Sequence, residues 1–206
     1  MRWGPAILAA HNGFLSVASA AMFGLVVVEA WGRAQVEGWG FVLCERFDPP
    51  RSYALEAYYI SKYYELLDTV LAFACRGKPP RRYFTHCYHH ALVMYTGYFC
   101  AQGQTLRYPG MATNTFVHIF MYYYYARAAI GLRSTWKIWV TRVQVLQFAT
   151  TYVSLLLALR KTPNLFFDGT KCSGRFQLVF TCAFSATLLH LFLKILDDDD
   201  PKKKQV

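Results

Sequence analysis

The chain has 206 residues, of which 55% are hydrophobic and 17% aromatic, while only 17% are charged, with a formal net charge of +10. An ordinary soluble domain carries about 25% charged residues, so the composition excludes that class and indicates an all-α polytopic membrane protein in a lipid bilayer. The basic residues cluster between apolar stretches, a pattern that sets orientation in a membrane and does not indicate nucleic-acid binding.

Six apolar segments are long enough to cross a bilayer, whose core of about 30 Å requires about 20 helical residues. We predict transmembrane helices at about residues 5–31, 54–75, 85–102, 111–131, 136–159 and 176–196, followed by a tail at 197–206, in one domain covering residues 1–206. The first segment contains Ala18-Ser19-Ala20, which resembles a signal-peptide cleavage site, but its apolar run continues to Val28 and favours a helix. Three helices followed by three are compatible with an inverted repeat.

The second segment carries charged side chains well inside its span. Lys62, Glu65 and Asp68 follow one another at steps of three, with Thr69 beside them. One face of a helix then presents all these groups, and Lys62 can pair with Glu65. A snorkelling cluster near a helix end is the simpler interpretation, but apolar residues flank the cluster on both sides, so we expect it to line a polar cavity.

The third segment begins with three of the chain's six histidines. His86, His89 and His90 project within a sector of about 100° on a helix, and an apolar, aromatic segment follows them. Because ionisable side chains are expensive inside a bilayer, a histidine cluster in a membrane helix indicates a functional site.

The fourth and fifth segments each add a polar stripe at helical spacing. The fourth presents Asn114, His118, Tyr122 and Tyr125, and the fifth presents Thr141, Gln144 and Gln147. Each stripe alone is compatible with helix–helix packing. Four helices that all carry polar stripes favour a shared site.

Taken together, these motifs resemble a known family. The patterns are Lys62-x-x-Glu65-x-x-Asp68-Thr69, His86-x-x-His89-His90, Asn114-x-x-x-His118-x-x-Met121-Tyr122-x-Tyr124-Tyr125 and Thr141-x-x-Gln144-x-x-Gln147-Phe148. In this order they resemble the fatty acid elongases of the endoplasmic reticulum, the ELO family. The resemblance implies a barrel of six transmembrane helices around an acyl tunnel. The family usually has seven helices, and this chain is expected to begin where the second would be. The resemblance implies that the first helix lies outside the barrel, so activity does not require it.

The resemblance also implies a reaction. The family condenses acyl-CoA with malonyl-CoA to give β-ketoacyl-CoA, carbon dioxide and CoA, so we expect these two substrates, no bound cofactor and no metal. His89 is expected to be a nucleophile that forms an acyl-imidazole, with His118 as base or acyl relay and His86 and His90 as orienting groups. General-base catalysis by His89 and His118 is an open alternative. The residues expected to bind and support substrate are Lys62, Glu65, Asp68, Thr69, Asn114, Tyr122, Tyr125, Gln144 and Gln147.

The resemblance places functions at the ends of the helices as well. Cationic residues expected at a cytosolic mouth for the CoA phosphates are Arg81, Arg82, Arg127 and Lys137. Cys44 and Cys172 fall in lumenal loops of the implied topology, where an oxidising compartment predicts a disulfide between them. The terminal Lys203-Lys204-Gln205-Val206 fits a dilysine retrieval signal, which predicts a multi-pass protein of the endoplasmic reticulum membrane with a cytosolic C-terminus. Expected partners are the ketoacyl reductase, dehydratase and enoyl reductase of the elongation cycle, and a homo-oligomer is compatible with the resemblance.

Other assignments share parts of these patterns. A di-iron desaturase or hydroxylase also uses H-x-x-H-H boxes, but two irons require more imidazole ligands than the six histidines of this chain supply. A transporter is suggested by intramembrane charges and predicts flux without malonyl-CoA turnover. Cys87 is a second candidate nucleophile, but it lies about 100° from His86 on the helix, off the histidine face.

Overall fold

The computed structural model describes residues 3–46, 50–80, 82–132, 136–167 and 172–198. Within these ranges every regular element is helical, so the predicted all-α class is confirmed. The helices are α1 (Gly4–Glu37), α2 (Gly40–Leu43), α3 (Tyr53–Tyr64), α4 (Leu67–Arg76), α5 (Tyr83–Ala101), α6 (Arg107–Ala129), α7 (Lys137–Lys161) and α8 (Arg175–Asp198).

Three of these helices, α1, α7 and α8, are long and apolar enough to cross a membrane. Helices α5 and α6 occupy the predicted third and fourth segments, and their histidine, asparagine and tyrosine side chains lower the mean hydropathy. The six-helix count and the inverted repeat remain predictions.

The second predicted segment, 54–75, is not one continuous helix. A turn at Glu65 and Leu66 divides it into α3 and α4. The backbone N–H groups of Leu66 and Asp68 donate to carbonyls three residues back, at 3.2 and 3.0 Å, a tighter pattern than that of an α-helix. The turn coincides with the charged cluster, so Glu65 ends one helix and Asp68 lies in the first turn of the next.

Helix α6 begins one turn before the predicted start at 111. Leu106 precedes it with a φ of 64°, a left-handed conformation that costs a non-glycine residue roughly 1–3 kcal/mol. Pro109 is accommodated because it stands in the first turn, where backbone N–H groups have no intrahelical partner. The loop before Leu106 is buried and anchored, since the Thr105 N–H donates to the Ser173 carbonyl at 3.3 Å.

Charged side chains and a disulfide join the helices at one end of the bundle. Glu45 is 1% exposed and pairs with both Arg33, at 2.9 Å, and Arg107, at 2.8 Å. The neighbouring Cys44 is joined to Cys172 by a disulfide, the pairing expected from the sequence. These five residues define what we call the disulfide end, where α1 finishes and α6 starts.

The opposite end carries basic residues. Arg82 precedes α5 and pairs with Asp198, the last residue of α8, at 3.0 Å. Arg127 lies in the last turn of α6, and Lys137 begins α7. We call this the basic end, defined by Arg82, Arg127 and Lys137.

Neighbouring helices run in opposite directions between the two ends. The main packing partners are α1 with α6, α6 with α7, α7 with α8, α8 with α5, and α5 with α3, while α1 also contacts α3 and α4. This order brings the polar stripes of α3, α4, α5 and α6 into contact with one another.

Candidate active site

One face of α5 lines a partly open cavity between the helices. His89, Val93, Thr96 and Cys100 follow at steps of four, three and four, which places them on one side of the helix. Of the four predicted histidines, His89 is the one on the cavity wall. Nearer the disulfide end, the lining includes Gln104, Leu106, Leu178 and Thr181.

The predicted charged cluster forms a buried ion pair. Lys62 Nζ donates to Glu65 Oε1 at 2.7 Å and to Asn114 Oδ1 at 3.1 Å. Lys62 and Glu65 are each 1% exposed, and the ammonium lies 4.3 Å from the centre of the Tyr58 ring. The Tyr58 hydroxyl also donates to Asn114 Oδ1, at 2.9 Å. A snorkelling surface cluster is therefore excluded for Lys62 and Glu65. The expectation that they line a polar cavity is also wrong, because they form a buried pair and are not among the residues that line the cavity beside α5.

His118 is held at both ring nitrogens. Its Nδ1 lies 3.5 Å from Glu65 Oε1, and its Nε2 lies 3.3 Å from Asn114 Nδ2. Asn114 Oδ1 already accepts from Lys62 and Tyr58, so the amide nitrogen must be the group that donates to His118. This network assigns the His118 proton to Nδ1, which faces the Glu65 carboxylate.

Asp68 organises a second group of side chains. Its Oδ1 lies 2.6 Å from His11 Nε2, and its Oδ2 accepts from the Tyr122 hydroxyl at 3.0 Å. His90 Nε2 is 4.0 Å from the same Oδ2. Sequence reasoning missed His11 as a site residue. A histidine inside an apolar helix indicates a functional role. The partner of His11, Asp68, is 57 residues away in the chain, so helical spacing could not identify it.

The three histidines of α5 lie together, as predicted. The rings of His86 and His90 are 4.3 Å apart and those of His89 and His90 are 5.3 Å apart. His86 Nε2 is 2.8 Å from Thr69 Oγ1. Among the described residues, His89 makes no side-chain hydrogen bond, and His90 Nδ1 and Glu65 Oε2 are buried without a hydrogen-bond partner. Buried polar atoms without a partner are uncommon in folded proteins, which sets these two side chains apart from the rest of the network.

The stripe of α7 only partly reaches this site. Gln147 lines the cavity, whereas Gln144 Nε2 contacts Met121 Sδ at 3.3 Å and Thr141 Oγ1 donates to the Lys137 carbonyl at 3.5 Å. Tyr125 of α6 remains 42% exposed, with its ring 6.4 Å from that of Tyr122. Of the α7 stripe, Gln147 is thus the side chain that lines the cavity, and the substrate-binding role of Gln144 stays a prediction.

Several predicted residues lie at the ends of the bundle or outside the described ranges. Arg82 and Arg127 are near the ends of neighbouring helices, and Arg127 Nη1 donates to the Tyr123 hydroxyl at 3.4 Å. Arg81, Lys203 and Lys204 fall outside the described residues. Cys87 is a half-buried free thiol. In the described part of the chain, no three His, Cys, Asp or Glu side chains are arranged to hold a metal ion.

The fold and the site define an all-helical membrane protein with a histidine cluster beside a cavity between the helices. The model of the GNS1/SUR4 family, ELO, matches residues 5–199. The chain therefore belongs to this family, and the resemblance seen in its motifs is confirmed. Its apolar helices and its family identify a multi-pass membrane protein.

Individual relatives agree with this assignment. The chain is 34% identical over 193 residues to "Putative fatty acid elongase 1" of Schizosaccharomyces pombe, an alignment that covers 89% of this chain and 57% of that protein. It is 31% identical over 215 residues to "Fatty acid elongase 2" of Trypanosoma brucei brucei, with 94% and 75% covered. "Very long chain fatty acid elongase 2" of Rattus norvegicus is 30% identical over 201 residues, with 91% and 66% covered. The chain thus spans a little over half the length of the S. pombe relative.

Proposed function

We propose that this chain catalyses the condensing step of fatty acid elongation, in which acyl-CoA and malonyl-CoA give β-ketoacyl-CoA, carbon dioxide and CoA. The observation that carries the proposal is the position of His89, on the wall of the cavity beside α5 and next to His90. Membership of the family supports elongation as the process. The proposal includes no resident metal or cofactor, and both CoA thioesters are substrates.

We assign the acyl chain to the cavity, within a barrel formed by six transmembrane segments. The packing order of α1, α6, α7, α8, α5 and α3 supports this arrangement. The cavity also extends along α5 from His89 to Cys100, about 16 Å at 1.5 Å per residue. An acyl group bound there has its thioester beside His89 and its methyl end towards the disulfide end.

In the first half-reaction, a ring nitrogen of His89 attacks the thioester carbon and the C–S bond breaks. CoA leaves as a thiolate that takes up a proton, and the acyl group remains on the imidazole. His89 suits this role because, among the described residues, no side chain occupies its ring nitrogens. Both ring nitrogens of His118 are engaged, so we assign His118 the role of holding Glu65 and Asn114 in place.

In the second half-reaction, the malonyl carboxylate leaves as carbon dioxide, and the resulting enolate carbon attacks the acyl carbon. The bond to His89 then breaks, which regenerates the imidazole and releases β-ketoacyl-CoA. Asn114 lines the cavity and uses one amide hydrogen on His118. Its second amide hydrogen is available to the developing oxyanion.

We assign the CoA phosphates to the basic end, where Arg82, Arg127 and Lys137 supply cations. Helix α5 begins at this basic end, and its first turns carry His86, His89 and His90. CoA phosphates bound at the basic end therefore place the thioester close to these histidines. The sequence of the C-terminal tail supports residence in the endoplasmic reticulum membrane with a cytosolic C-terminus. The product then passes to a ketoacyl reductase, followed by a dehydratase and an enoyl reductase.

Incorporation of radiolabelled malonyl-CoA into microsomes tests this function. Microsomes that contain the wild-type chain should form labelled β-ketoacyl-CoA with at least one acyl-CoA primer of a chain-length panel. The His89→Ala variant should give only background label, whereas His190→Ala, at an exposed position of α8, should match the wild type. If no primer gives more label with the wild type than with His89→Ala, the result would count against condensation. Stoichiometric iron in the purified protein would favour a desaturase instead.

A further inference from the structure

The histidine of α1 has no place in the mechanism described so far, yet it is built into the site. His11 is 7% exposed, and its Nε2 lies 2.6 Å from Asp68 Oδ1. Because the carboxylate can only accept, Nε2 must carry the proton. The ring also stacks on Tyr64, with centroids 5.4 Å apart and planes 27° apart. His11 is thus fixed both by its ring face and by its donor.

We propose that His11 is a positioning residue that acts through Asp68 to orient the imidazole of His90. This inference deepens the proposed condensation and rests on it for its kinetic consequence. Helix α1 then belongs to the catalytic apparatus, in addition to its packing against α6.

The two oxygens of Asp68 have different partners. Oδ1 faces His11, whereas Oδ2 accepts from Tyr122 at 3.0 Å and lies 4.0 Å from His90 Nε2. A carboxylate held by two donors on separate helices cannot rotate freely about its χ2 bond. If the His11 donor is lost, Oδ1 of Asp68 is no longer held, and the carboxylate can turn away from His90.

The orientation of Asp68 matters because it determines which nitrogen of His90 carries the proton. His90 Nε2 faces the carboxylate, which favours a proton on Nε2. His90 Nδ1 is buried and has no partner among the described residues, so it presents a lone pair to the site. The ring touches those of His86 and His89. A lone pair there can accept the remaining ring proton of His89 as the acyl-imidazole forms, and return it when the imidazole leaves in the second half-reaction. A separation of 4.0 Å is longer than a hydrogen bond, and such contacts often tighten when substrate binds.

Two substitutions of His11 distinguish the effect of its N–H donor from the effect of its ring. His11→Phe keeps a ring to stack on Tyr64 but removes the donor, whereas His11→Gln keeps an amide N–H that can reach Asp68. A hydrogen bond to a charged group corresponds to a rate effect of roughly 10- to 100-fold. We expect His11→Phe to lower kcat by that factor while the KM values for acyl-CoA and malonyl-CoA change less than about 2-fold. His11→Gln should recover most of the lost kcat, and His190→Phe should be neutral.

The kinetic result overturns the inference if His11→Phe keeps its wild-type kcat, or if His11→Gln loses as much as His11→Phe. If His11 has a purely structural role, His11→Gln should lose as much kcat as His11→Phe. Alternatively, both variants should lose folded yield equally while the kcat of the folded fraction stays unchanged.

A second measurement does not depend on turnover. In the full chain labelled with ¹⁵N-histidine in detergent micelles, the His90 ring resonances should shift in His11→Phe and stay unchanged in His190→Phe. Unchanged His90 resonances in His11→Phe overturn the inference. If wild-type microsomes form no condensation product, the proposed function fails, and the resonances of His90 still decide whether His11 acts through Asp68.

Discussion

Replacement of Lys62 by methionine removes the counter-ion of a fully buried carboxylate. Glu65 is 1% exposed, and its Oε1 accepts from Lys62 at 2.7 Å, while Oε2 has no partner among the described residues. Breaking a buried ion pair by removing one partner costs about 3–5 kcal/mol. Since a domain of 150–250 residues loses roughly 2–4 °C in Tm per kcal/mol, we expect a fall of roughly 10 °C in Lys62→Met.

A second substitution tests whether the stranded charge is the cause. In Lys62→Met/Glu65→Gln a neutral amide replaces the carboxylate, so most of the lost stability should return. Condensation should stay low in both variants, because neither restores the ammonium beside Asn114. Thermal unfolding of the purified chain in detergent, followed by circular dichroism, gives the Tm values. An unchanged Tm in Lys62→Met, or a double variant less stable than the single one, would refute the reasoning.

Three further predictions concern other parts of the molecule. Cys87→Ser should retain condensation while His89→Ala loses it, because His89 lines the cavity and Cys87 does not; the opposite result would move the nucleophile to the thiol. Non-reducing peptide mass spectrometry should find Cys44 linked to Cys172, and Cys172→Ser should cost about 2–5 kcal/mol of stability, seen as a lower Tm; two free thiols would contradict the disulfide. Arg127→Gln should raise the KM for both CoA thioesters by roughly 10-fold with little change in kcat, and unchanged KM values would remove this residue from the CoA mouth.

Helix positions were largely predictable because apolar length and periodicity are local properties of the sequence. The predicted segment 85–102 corresponds to α5 (Tyr83–Ala101), and the predicted segment 136–159 corresponds to α7 (Lys137–Lys161). The contact of His86, His89 and His90 also followed from helical spacing alone.

The interruption of the second segment could not be predicted in the same way. No glycine or proline marks the turn between α3 and α4, so no local signal distinguishes it from a continuous helix. The side chains around it have long-range partners: Lys62 binds Asn114, and Asp68 binds His11 and Tyr122. These tertiary contacts are made at the turn, and spacing along one helix does not reveal them.

The same limit explains why His11 was missed and why the contact of Gln144 with Met121 was not predicted. Periodicity assigns a side chain to a face of its own helix, but not to the neighbour that this face meets. His11 meets Asp68 because α1 packs against α4, whereas Gln144 meets Met121 because α7 packs against α6.

Acyl transfer to His89 is the central claim, and it can be measured without the second substrate. Purified chain mixed with acyl-CoA alone and quenched rapidly should release about one equivalent of CoA per chain, and peptide mass spectrometry should find the acyl group on His89. Addition of malonyl-CoA before the quench should remove this group and yield β-ketoacyl-CoA. Absence of a CoA burst, or an acyl group found on Cys87 in place of His89, would contradict the account.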